Sequence, residues 1–280
     1  MFLSNPGVRP EDIERLRRSL GLDRPLWVQY VQWLLAFLRG DWGYSMTDSR
    51  PVLTRVLERA PATMELTAAS MLVAAMLTVT LGTAAALARG RWLDRAIRAA
   101  SAVGLALPAF WFGLLLQLVF AAWLGWLPSS GRVTPGDGGA FDRLQHLILP
   151  ALVLAGIHAA AWTRYLRAST IDSLEQRFVS GARARGATEP RILVRHVLRT
   201  ALLPLATVVL LDVALLVAGA VVTESVFAWP GLGTLFTEAL ARRDYSVLMA
   251  MVMLASAAVV GVNLLADLIY PRLDPRAAAS

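Results

Sequence analysis

The sequence predicts an all-α integral membrane protein. Hydrophobic residues fill 56% of its 280 positions and mean hydropathy is +0.55, higher than soluble domains carry. Five segments run almost without charge over the roughly 20 residues that an α-helix needs to cross a hydrocarbon core. The connections between them are short, and arginine is concentrated in alternate ones. Helix is the expected state of each crossing, because lipid offers no hydrogen-bond partner to open backbone.

Residues 1–60 are expected to be an external segment with short or interfacial helices. Their nine Arg are nearly balanced by seven acids. Pro10, Glu11 and Asp12 open a helix well, with Arg15, Arg17 and Arg18 toward its end. The 13 residues Leu26–Leu38 include Trp27, Tyr30, Trp33 and Phe37; too short to span, they read as an interfacial helix.

Residues 61–280 are expected to form the transmembrane domain, with spans at about 66–88, 99–126, 144–163, 200–223 and 245–270. The first has no charge. The second is uncharged and contains Pro108, and the third is uncharged if His158 is neutral. The fourth is apolar except for Asp212, and the fifth is uncharged up to Asp267. The loop Arg89–Arg98 holds four Arg against Asp94, and Arg164–Arg199 holds eight against Asp172, Glu175 and Glu189. Around 127–143 and 224–244 the charges nearly cancel. The arginine bias puts the two rich loops and the C-terminus in the cytoplasm. With five spans the N-terminus then lies outside.

The loop 164–199 is the most informative part of the chain. Thr170–Arg185 can continue as helix past the membrane, and Gly186 suits the left-handed position that ends it. Thr188 can cap a second helix with Glu189 and Pro190 in its first turn, running toward Leu203 before a bend at Pro204. Two helices held rigidly between two spans suggest a part that touches something in the cytosol. The plain alternative is a solvated, positive-inside loop. A DNA-binding helix–turn–helix is disfavoured, because the segment is tied to the membrane within a few residues at each end. The net charge of +7 does not indicate nucleic acid, since the excess sits in these short loops.

Composition removes several chemistries. All 27 cations are Arg, so neither a phosphate-binding loop ending in Lys nor a Schiff-base lysine can exist. There is no Cys, and His146, His158 and His196 show no ligand spacing, so no metal site is expected.

The run Gly181-Ala182-Arg183-Ala184-Arg185-Gly186, with Pro204 18 residues beyond it, resembles the cytoplasmic loop of ABC importer permeases, most closely the dipeptide/oligopeptide (and nickel) branch. Where the wider family opens this loop with Glu-Ala-Ala, the chain has Ser180-Gly181-Ala182, as the peptide branch does. Further landmarks span nearly the whole chain. They are Gly21 to Pro25, Gly40 to Ser45, Pro61 to Leu66, Leu107 to Trp111, Trp126 to Gly131, Glu224 to Gly233, Asn263 to Asp267 with Tyr270, and Leu273 to Arg276.

The resemblance implies a type I ABC importer permease fold in a bacterial or archaeal inner membrane, multi-pass and without enzymatic activity of its own. It implies a second homologous permease, two ATPase subunits that bind the ATP, an extracytoplasmic substrate-binding protein and surrounding lipid as partners, with no nucleic acid and no cofactor in this chain. Members carry one more span before the external segment, so the natural protein is expected to have about one further helix. The ATPase-coupling residues implied are Gly181, Ala182, Arg183, Ala184, Arg185, Gly186, Ala187 and Thr188. Asp212, the one carboxylate deep in a span, is a candidate for the translocation pathway together with Trp162 and Gln117. It could attract a cationic group such as a peptide amine, or hydrogen-bond a neighbouring helix or the partner permease. Phe227, Trp229 and Gly231 are candidates for an external gate, with aromatic anchoring at the interface as the alternative. A secondary transporter or channel, and a membrane-bound enzyme or assembly factor, are the competing function classes.

Overall fold

A computed structural model describes residues 23–273, and within them the chain is helical apart from turns and two isolated bridges. The helix expected from Pro10 and the motif residues Asp274, Pro275 and Arg276 lie outside the described residues. The order is α1 (Leu26–Leu38), α2 (Val52–Leu87), α3 (Trp92–Ala106), α4 (Ala109–Leu116) with a π-helical continuation (Gln117–Trp123), and α5 (Ala140–Leu174). Then come α6 (Arg177–Ala184), α7 (Glu189–Ile192) with a π-helical stretch (Leu193–Val197), α8 (Leu198–Val226), α9 (Leu232–Arg242) and α10 (Tyr245–Leu273).

Four helical stretches are long and apolar enough to cross a membrane: Val52–Leu87, Ala140–Leu174, Glu189–Leu210 and Tyr245–Ala266. The fifth expected span, 99–126, is not one straight helix. It starts earlier, at Trp92, and turns by 107° between α3 and α4. The cause is local. The residue before a proline is driven out of the α region, and Leu107 is extended at φ −79°, ψ 129°, as is Pro108 behind it.

The boundary expected at 60/61 is also absent, because α2 runs through it. Val52, Val56, Ala62 and Leu66 are buried at helical spacing, so one face continues across Pro61. Fourteen residues of helix therefore precede the expected start of the span at Leu66. In the same way α5 continues to Leu174, well past Thr163.

The core is built where α2, α5 and α8 meet. Ala62, Ala74, Ala151, Ala155, Ala159 and Ala201 sit there with Leu66, Leu154, Leu166, Trp162 and Trp229. Small side chains let backbones approach closely, which is how helices associate when lipid removes the hydrophobic driving force. A second cluster joins Val52 and Val56 to α9 and α10, with Phe37 and Trp42 packed against it. That cluster ties α1 to the body, while Leu26, Trp27, Tyr30 and Leu38 remain exposed.

Candidate functional site

The arginine-rich loop folds as a small helical hairpin with a core of its own. Val179 and Ala182 on α6 pack against Ile192 and Val197, and Leu174, Ala187 and Leu193 close the edges. The turn between the arms reverses at Gly186, whose φ is +80°. The Gly186 N–H donates to Arg183 O at 2.9 Å and the Ala187 N–H to Ala182 O at 3.2 Å, so the last carbonyls of α6 are satisfied. A β-branched residue adopts this backbone conformation only with strain.

Thr188 takes the cap position of α7 with an extended backbone, but its side chain makes no capping bond. The Ile192 N–H reaches Thr188 O instead, at 2.9 Å. The second arm does not bend off at Pro204. It passes through the π-helical stretch Leu193–Val197 into α8, and Pro204 lies inside that helix.

The expected coupling residues thus separate by role. Ala182 is buried in the hairpin core, and Gly181 and Ala187 are half-buried. Arg183, Ala184, Arg185, Gly186 and Thr188 are exposed. The Arg183 guanidinium forks onto Glu189, with Nε–Oε1 at 2.7 Å and Nη2–Oε2 at 3.1 Å. It braces the two arms across the turn. Arg185 has no ion pair among the described residues, so its charge is available to a partner.

Two links fasten the neighbouring loop to α5. Asp94, at the start of α3 and almost fully buried, receives Arg167 Nε at 2.6 Å and Nη2 at 2.8 Å, and the Gly90 N–H at 2.9 Å. Arg89 pairs with Glu175 at 2.6 Å on the surface.

At the opposite end the turn after α8 is closed by a fully buried carboxylate. Glu224 accepts from Thr63 Oγ1 at 2.6 Å, the Gly233 N–H at 2.7 Å and the Thr234 N–H at 3.1 Å, and so caps α9. A Cβ on Gly231 would collide with that carboxylate, and one on Gly233 with the backbone of Val221. Phe227 and Trp229 are buried as well, so anchoring in the lipid interface does not describe them. Phe227 packs with Leu149, Val153 and Phe112, and the Trp229 indole donates to Ala62 O at 2.8 Å.

Gln117 belongs to this end too. Its amide donates to Ser129 O at 2.7 Å and Val226 O at 3.1 Å, and the Gly131 N–H reaches Phe227 O at 2.8 Å. These bonds clasp the loop after the π-helical stretch to the end of α8. Glu65 on α2 adds pairs with Arg132 and Arg143, and the Arg132 guanidinium stands 5.9 Å from the centre of the Trp229 ring.

Trp162 and Asp212 meet in mid-helix. The Trp162 indole donates to Asp212 Oδ2 at 2.6 Å, and His158 Nδ1 lies 3.9 Å from the same oxygen. The sequence alternative of a hydrogen bond to a neighbouring helix is therefore present, from α5 to α8. Gln117 is not part of this group.

The buried acids Glu224 and Asp94 were not singled out from sequence. Their signals are visible afterwards: an acid directly at the end of an apolar run before Trp-Pro-Gly, and the lone acid in an arginine-rich loop. His158 carried none beyond its place in a span. Among the described residues no cluster of His, Asp or Glu is arranged to hold a metal ion.

Comparison with known proteins covers almost the whole chain. A family model described as "Binding-protein-dependent transport system inner membrane component" matches residues 78–279, and the model of the N-terminal part of such membrane components matches residues 5–67. The oligopeptide transport system permease protein AppB of Bacillus subtilis is 40% identical over 277 residues, which are 98% of this chain and 88% of that protein. The dipeptide transport system permease protein DppB of Escherichia coli is 36% identical over 292 residues, 96% of this chain and 86% of that one. Among solved structures, an inward-facing MetNI methionine ABC transporter superposes with a TM-score of 0.64 at 17% identity, covering 78% of this chain and 96% of that one. An amino acid ABC transporter gives 0.57 at 12% identity, covering 78% and 94%. At these identities the structures speak to fold alone, and the fold is that of a type I ABC importer permease.

Proposed function

The chain belongs to the family of binding-protein-dependent transport system inner membrane components, and we propose that within it this permease carries di- or oligopeptides. As a permease of an ABC importer it forms part of the membrane pathway, and ATP hydrolysis resides on separate subunits. The peptide reading is supported by its similarity to the oligopeptide and dipeptide permeases named above. No finding supports a secondary transporter or channel.

Its partners in this reading are a second homologous permease, two ATPase subunits and an extracytoplasmic binding protein. The hairpin 177–199 is the contact to an ATPase, with the C-terminus in the cytoplasm. The carrying observation is the shape of that hairpin. A dedicated core and the Arg183–Glu189 brace hold it stiff, and it presents Arg185 and the Gly186 turn outward. Only a stiff element can pass a motor's movement to the spans, and only contacts that differ between two states shift their balance.

Uptake of a labelled dipeptide by the assembled complex tests this. Gly186→Val should leave the permease in the membrane and cut uptake about tenfold or more, since strain of about 1–2 kcal/mol falls on the docking turn. Normal uptake by that variant would remove the docking role. Wild-type uptake that needs no ATPase chain would remove the importer reading.

A further inference from the structure

Asp212 is placed where a charge is hardest to keep. It is the fifteenth of the 29 residues of α8, about 20 Å from either end at 1.5 Å per residue. Its Oδ2 is held by the Trp162 indole. Its Oδ1 accepts no hydrogen bond among the described residues. The side chain keeps 22% of its exposure, so it is not sealed into the helix packing. A lone carboxylate at such depth calls for a counter-charge. The described residues supply no arginine to it. The nearest cationic candidate, His158 Nδ1 at 3.9 Å, is beyond hydrogen-bond range and faces the oxygen that Trp162 already occupies.

Resting on the permease reading above, we propose that Asp212 Oδ1 is a seat for the cationic ammonium group of the cargo, such as the free amino terminus of a peptide, during passage through the membrane. Trp162 is the positioning residue. Fully buried itself, it fixes one carboxylate oxygen and leaves the other without a donor among the described residues. His158 borders the seat, half-buried, with Nδ1 3.9 Å from Oδ2. The chemistry is that of a charge-assisted N–H···O bond in a low-dielectric setting, where it is strong and short-lived only if a competing cation or water replaces the cargo.

The test uses the complete transporter in proteoliposomes with a saturating concentration of peptide-loaded binding protein, so that the maximal rate reports steps after delivery. The cargo is a labelled dipeptide with a free amino terminus. Asp212→Asn keeps an oxygen for the Trp162 indole but removes the charge, and Asp212→Glu keeps the charge. The expected result is a maximal rate lowered about tenfold in Asp212→Asn and largely retained in Asp212→Glu. The binding-protein concentration for half-maximal rate and the thermal stability of the complex should be unchanged in both. A maximal rate in Asp212→Asn equal to wild type would overturn the seat. Equal losses in both variants with a lower melting temperature would overturn it too, in favour of a purely structural bond. Failure of wild type to move any peptide would overturn the peptide reading itself and this inference with it, and the wild-type control tells that case apart.

Discussion

Glu224 and Asp244 are both buried carboxylates at the end away from the arginine-rich loops, and both are kept by donors from distant parts of the chain. Glu224 draws on Thr63 and on the first amides of α9. Asp244, between α9 and α10, receives the hydroxyls of Ser45 and Thr47, the latter at 3.1 Å, and the Met46 N–H at 3.1 Å. Arg55 stands 3.6 Å away. Burial pushes the Asp244 carboxyl up, but these hydrogen bonds outweigh it and hold the group below the usual carboxylate range. The sign follows from linkage: a depressed carboxyl contributes stability that is complete above about pH 4 and lost as pH falls through the lowered value. Amide exchange in residues 40–51, divided by the intrinsic rate at each pH, should therefore be flat from about pH 5 to 8 and rise only in acid. In Asp244→Asn it should be raised from about pH 5 to 8, where the wild-type carboxylate is charged, and should converge on the wild type in acid. A rise in the wild type already near neutrality would show that Asp244 does not hold the segment.

Sequence reading could name Asp212 because one carboxylate in an apolar run is conspicuous. It could not name the partners of Glu224, Asp244 or Asp94. Thr63 lies 161 positions from Glu224 and Ser45 lies 199 from Asp244, and nothing in local pattern reports such pairing. Phe227 and Trp229 were legible as a cluster beside a turn, yet lipid anchoring and burial look alike in sequence. The hydrogen bond from the Trp229 indole to Ala62 decides for burial.

Elements were legible where periodicity and length agree and less so where a helix outlasts its span. The Leu26–Leu38 helix matches its expected limits, and the hairpin turn falls at Gly186 as the glycine suggests. The start of α2 at Val52 is not legible, because its polar turns look like loop; the helix expected to continue through Thr170–Arg185 is present but breaks between Leu174 and Arg177. The break at Pro108 was underestimated, because an uncharged run gives no reason to divide it. The pair Asp94–Arg167 belongs to this scale, since it pins the start of α3 to α5 on the arginine-rich side. Arg167→Ala leaves a buried acid with only the Gly90 amide and Arg98, the latter at 3.4 Å. An unmet buried charge of this kind costs about 1–3 kcal/mol. The complex should lose thermal stability, while Arg167→Lys loses less. An unchanged melting temperature for Arg167→Ala would mean that this pin carries no strength.

For the whole molecule, the three long helices α2, α5 and α8 make the core and the two ends differ in character. One end is rich in arginine and carries the hairpin; the other is closed by acids that cap and tether. The proposed orientation puts the first in the cytoplasm, and it can be read directly because the chain has no Cys. A single Ser180→Cys in the hairpin should react with an impermeant thiol reagent only in inside-out vesicles, and Ser130→Cys only in intact cells. The reverse pattern would invert the topology. Both serines are exposed in the chain, so in permease expressed without its ATPase subunits access to reagent is set by the membrane alone.

By itself the sequence determined the class of the protein, the number of its apolar segments, the excess of arginine in alternate loops and the hairpin with its glycine. These follow from hydropathy, charge bias and backbone preference, which act within a few residues or one span. Tertiary structure alone decided which acids are buried and by what they are satisfied, and that Trp162 meets Asp212 across two helices. Those depend on contacts between residues far apart in the chain, where the cost of burying a polar group selects the partner and no local pattern records the choice.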